Sequence, residues 1–63
     1  MANFEPTNPD LIQEGMTVMH QKFGKGVVIS VDGAGANKKA TVQFENNGTK
    51  QLMLKFAKLA IIN

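Results

Sequence analysis

From Gly15 onward the chain alternates apolar and polar positions in short runs, each bounded by turn-forming residues. Met16, Val18 and His20 share one face, with Thr17 and Met19 opposite. Val27, Ile29 and Val31 point one way and Val28, Ser30 and Asp32 the other, while Ala40, Val42 and Phe44 alternate with Thr41, Gln43 and Glu45. A period of two is that of β-strands, whose successive side chains leave opposite faces of the sheet. The segment 33–37, Gly-Ala-Gly-Ala-Asn, supplies one turn, and Asn46-Asn47-Gly48 supplies the strongest short hairpin signal in the chain.

The segment from Lys50 to Ile62 is ambiguous by periodicity, because Leu52, Phe56 and Leu59 also sit at helical spacing. Connectivity decides it. Lys50–Leu54 directly follows a hairpin turn and pairs with 40–44 to close that hairpin. The expected continuation is a tight turn at Lys55-Phe56-Ala57 and a last short strand over 59–62. Five strands is the count of a small all-β barrel of SH3-like or Tudor-like type, and closing it limits exposed edges. Residues 1–14 read as a flexible tether, since Pro6 and Pro9 bias their predecessors toward extended conformations. Within it, the pair Leu11-Ile12 can latch onto a barrel formed by 15–63.

Composition narrows the picture further. Sixty-three residues make one domain at most, and a chain of this size buries only about 60% of its unfolded surface. It has no cysteine to staple it and a single histidine, too few for a zinc site. Lack of cysteine fits a reducing cytoplasm. No apolar run approaches the ~20 residues of a membrane span, and the first residues lack the regions of a signal peptide. The start at Met1-Ala2-Asn3 reads as the boundary of an excised fragment.

Seven basic residues stand against five acidic ones. All seven are lysines, and specific reading of guanine rests mainly on arginine, so the charge allows only weak, salt-sensitive contact with a nucleic-acid backbone. His20, Ser30 and Asp32 carry the letters of a hydrolase triad, but no strand-to-helix elbow or helix accompanies them. Enzymatic activity is not expected, nor is any cofactor or metal. The glycine-lysine stretches 24–26 and 33–38 lack the following helix of a phosphate cradle, so their glycines read as turn and close-approach residues. An aromatic cage for a methylated lysine fails on inventory, because Phe44 and Phe56 are wanted by the core and only Phe23 is left for the surface. What remains is a rigid turn in which Lys22 and Lys25 flank Phe23, the makeup of an interface anchor. His20 is either a partner-contacting residue or a polar residue at a strand end.

The ordered set Gly15-x-x-Val18-x-His20-x-Lys22-Phe23-Gly24-x-Gly26-x-Val28, Val31-x-Gly33-x-Gly35, Ala40-Thr41-Val42-x-Phe44 and Gly48-x-Lys50-x-Leu52-x-Leu54-Lys55-Phe56-Ala57-x-Leu59 resembles the C-terminal domain of UvrD/PcrA-type bacterial DNA helicases. The resemblance implies a Tudor-like barrel that docks the helicase onto RNA polymerase and the UvrB repair protein; a monomer is expected. It implies partner contact by the basic residue opening the fourth strand, Lys50, with Leu11 in the tether as a second contact. Gln51 stands where a basic residue often follows that lysine. The polymerase-interacting domain of CarD-like and transcription-repair coupling proteins shares the Gly-x-x-Val opening and fits the 52–59 ending less well. A small nucleic-acid-binding barrel, tracking phosphates with Lys22, Lys25, Lys38 and Lys39, is the alternative from a different class.

Overall fold

The computed structural model describes residues 11–62, and within them the chain forms one antiparallel sheet of five strands. The strands are β1 (Thr17–His20), β2 (Gly24–Asp32), β3 (Lys39–Phe44), β4 (Gly48–Met53) and β5 (Leu59–Ile61), with a 3-10 turn at Gly35–Asn37 between β2 and β3. Their order across the sheet is β4-β3-β2-β1-β5. The expected all-β, five-stranded, Tudor-like architecture is borne out, and the tail after β4 is a turn and a strand rather than a helix. One expectation fails: β4 and β5 are the two outer strands and do not pair, so hydrogen bonds do not seal the sheet into a closed barrel.

One face of the sheet carries the core. Val18, Val28, Ala40, Val42, Phe44, Leu54 and Leu59 are buried, with Phe23, Val31, Leu52 and Ile61 packed against them. Alternation in β3 delivers Ala40, Val42 and Phe44 inward as its pattern predicts. The eighth core residue is Ile12, only 1% exposed, whereas its neighbour Leu11 is 56% exposed. The packed unit therefore reaches back past Gly15, into the stretch read as tether; the rest of that stretch, 1–10, lies outside the described residues.

The strict alternation read along β2 does not hold. A register shift falls between Val28, opposite Val42, and Ser30, opposite Thr41, so Ile29 is an extra residue on β2. Such a bulge changes which face the following residues occupy. Val27 and Ile29 are 44% and 42% exposed, while Val31, expected on their face, packs against the core.

Each of the hairpins β1-β2 and β3-β4 has a three-residue loop closing on a glycine, since His20 opposes Gly24 and Phe44 opposes Gly48. Gly24 and Gly48 have φ of 83° and 73°, a region that costs other residues strain. Gly26 serves differently. A Cβ there would lie 2.8 Å from both Phe44 Cδ1 and Val42 Cγ1, so its missing side chain is what lets β3 pack. Both hairpin loops sit at one end of the sheet. The chain enters and leaves at the opposite end of β1, where the Gly15 N–H donates to Val28 O and the Ile62 N–H to Thr17 O.

Two substitutions test this packing. Phe44→Ala should cost about 3–5 kcal/mol, enough to unfold most of so small a domain; thermal unfolding like that of the parent would place Phe44 outside the core. Gly26→Ala should cost about 1–3 kcal/mol by overpacking, and urea midpoints measured beside the parent check it.

Candidate functional site

The two hairpin loops meet, and the residues they carry form one cluster. In the β1-β2 loop, Gln21-Lys22-Phe23 turns back over the end of β1. His20 holds that turn. Its Nδ1 accepts hydrogen bonds from the backbone N–H groups of Lys22 at 3.0 Å and Phe23 at 3.1 Å. An imidazole nitrogen that accepts two N–H donors carries no proton, so the ring proton sits on Nε2. The His20 imidazole stacks on the Phe23 ring, with centroids 4.5 Å apart and planes 17° from parallel. Both rings rest on Phe44, at 5.4 Å from Phe23 and 6.1 Å from His20.

The β3-β4 hairpin closes on the same turn from the other side. The Asn47 side-chain amide donates to Phe23 O at 2.8 Å. Lys50 projects from β4, opposite Val42, and places its ammonium 4.8 Å from the centroid of the Phe23 ring. A cation at that distance from an aromatic ring gains about 0.5–1 kcal/mol at an exposed site. Lys50 and Phe23 are each half-buried, so the charge is ordered yet open to solvent. Lys50 is the third residue of β4, which opens at Gly48.

The sequence candidates thus fall into three groups. His20, Phe23 and Lys50 are brought into direct contact, and Lys22 lies beside them, exposed. Lys25 belongs to the ladder next to the loop, and its ammonium lies 3.9 Å from Glu45 Oε2. Both side chains of that pair are at least half exposed, where an ion pair contributes little. Leu11 is exposed on the chain's approach to the barrel, beside the buried Ile12. The lysines proposed to track phosphates do not line up. Lys39 opens β3 opposite Asp32, about 20 Å along the strand from the level of Lys25.

The roles expected of two phenylalanines are exchanged. Phe56, expected to serve the core, is 72% exposed at the turn after β4, with Lys55 Nζ 5.5 Å from its ring centroid. Phe23, assigned to the surface, packs partly against the core. Sequence reasoning also missed Asn47. The Asn-Gly pair marks a hairpin, but only the meeting of the two loops gives the Asn47 amide its partner. Among the described residues there is no enclosed cavity and no grouping of three metal-ligating side chains. The arrangement is suited to surface contact: an ordered cation for a carboxylate or carbonyl, set beside an apolar ring.

Comparison with known proteins identifies the family of the fold. The family profile described as "PcrA/UvrD tudor domain" matches residues 15–60. DNA helicase II of Salmonella typhimurium is 35% identical over 48 residues, covering 76% of this chain and 7% of the relative. DNA helicase II of Haemophilus influenzae is 42% identical over 45 residues, covering 71% of this chain and 6% of the relative. The matched region is therefore well under a tenth of those relatives' length.

The partly buried setting of His20 makes stability depend on pH. Partial burial, and secondarily the Lys22 charge, hold the His20 pKa below its ordinary 6.5. The folded state thus favours neutral imidazole, and the unfolded chain binds a proton more readily. The contribution is complete above pH 6.5 and is lost as pH falls through the folded-state value. Urea midpoints should therefore drop between about pH 7 and about pH 5, the range of histidine titration. The same series on His20→Gln should be flatter, and equal slopes would remove His20 as the cause.

Proposed function

The chain belongs to the PcrA/UvrD tudor domain family, and we propose that it is a non-catalytic docking module of a longer cytoplasmic DNA helicase, binding RNA polymerase or UvrB. The observation that carries this reading is the Lys50 ammonium held over Phe23 on the joined hairpin loops. An interface anchor is strongest when its side chains need little ordering on binding, because immobilising a free lysine costs affinity. Here the fold has already restricted Lys50, and Phe23 is fixed by Asn47, His20 and Phe44. A partner with a carboxylate and an apolar side chain in one loop meets both groups at once.

The relatives' shared description as DNA helicase II supports the assignment of the parent protein. Against the phosphate-tracking alternative stands the division of the lysines between opposite ends of the sheet, with Lys25 beside a carboxylate. Affinity for a docking partner should therefore depend on one lysine rather than on total charge.

Binding to UvrB or to a polymerase β-subunit fragment tests the reading. Lys50→Ala should weaken the interaction about tenfold, as for an interface residue of intermediate weight, while thermal unfolding stays close to that of the parent. Normal retention of the partner by Lys50→Ala would remove this residue from the site.

A further inference from the structure

Strand β4 ends the sheet, and its outer edge is unpaired among the described residues. Which groups it exposes follows from the ladder. The Leu54 N–H donates to Lys38 O, which makes Lys38 and Leu54 a hydrogen-bonded pair. Hydrogen-bonded and non-bonded pairs alternate along an antiparallel ladder. Ala40 with Leu52, Val42 with Lys50 and Phe44 with Gly48 are therefore bonded pairs, while Lys39 with Met53, Thr41 with Gln51 and Gln43 with Thr49 are not. The N–H groups of Thr49, Gln51 and Met53 thus point away from β3, as do the carbonyls of Thr49 and Gln51. The Met53 carbonyl is already taken, accepting from the N–H groups of Phe56 and Ala57.

Natural sheets usually blunt such an edge with proline, a bulge or an outward lysine. Strand β4 has neither proline nor bulge, and its one lysine is drawn over Phe23. The edge is regular over six residues, whereas β5 at the other side has three. We infer that the β4 edge is a strand-addition site that accepts an extended acidic segment of another protein. The proposal rests on the docking reading and adds its geometry: the partner's backbone pairs with Thr49 and Gln51, and its carboxylate reaches Lys50.

Charge selects this occupant over a second copy of the chain. Two-fold pairing of β4 with itself about Gln51 would put the two Lys50 side chains on one face at diagonal positions, about 7–8 Å apart. Each copy also carries a net charge of +2. An acidic strand turns the same positions into attraction, and the exposed Met53 offers an apolar contact on the opposite face.

Amide hydrogen exchange on the whole chain, with and without UvrB or the polymerase β-subunit fragment, decides the matter. In the dilute free chain the Thr49, Gln51 and Met53 amides should exchange quickly, and saturating partner should slow them at least about tenfold, as hydrogen-bond formation does. Gln51→Pro, which removes an N–H that no native strand uses, should weaken binding about tenfold, and Gln51→Ala less than about twofold. Binding that leaves these amides unprotected overturns edge pairing but not docking. Failure of the unaltered chain to bind either probe overturns both. Protection already present in the dilute free chain, or appearing only as its concentration rises, assigns the edge to this chain itself and overturns the proposal.

Discussion

The close approach of Phe44 to the backbone of Gly26 is the constraint on which most of this small structure depends. A methyl group at Gly26 would meet the Phe44 ring, Val42 and the Gln43 carbonyl at or below 2.9 Å. Without it, β3 lies against β2 closely enough for its three inward residues to fill the core of a domain that has no cysteine to staple it. Dense packing contributes disproportionately in so short a chain, because its margin of stability is only a few kcal/mol. Here one absent side chain determines where the largest buried one goes.

That same ring couples the core to the surface cluster. Phe44 faces the core on one side and supports His20 and Phe23 on another, so the surface cluster rests on a core residue. His20 then sets the loop through its Nδ1, Asn47 ties the second loop to the first, and Lys50 lies over the ring so positioned. No step in this sequence needs a long flexible loop. A site built this way keeps its shape before any partner arrives, and its order is only as secure as the packing beneath it.

Much of the fold is legible in the sequence because alternation and turn chemistry agree. In β3 the apolar residues 40, 42 and 44 all face the core, and Asn47-Gly48 closes the hairpin that follows. Periodicity misleads where the backbone departs from ideal pleating. The extra residue at Ile29 has no signature in a run of β-branched residues, so the change of face within β2 was invisible. Phe56 and Phe23 exchanged roles for a related reason: burial near a turn depends on which way the chain folds back, and spacing does not encode that. The site was half legible. Lys22, Phe23 and Lys50 could be named singly, but their meeting depends on two loops adjacent in space and more than twenty residues apart in sequence. Lys25 meets Glu45, its neighbour across the ladder, and spacing along the chain does not show that contact either.

Gly15 hydrogen-bonds to Val28 and Ile62 to Thr17, so the described chain enters and departs beside the start of β1, while the paired loops occupy the far end. The barrel is therefore polar in the sense of a plug: both ends of the described chain are attached at one end, and the joined loops lie at the other. A rotation of the whole domain about that attachment would sweep Lys50 and Phe23 through an arc without disturbing a single core contact, separating the aim of the site from its affinity.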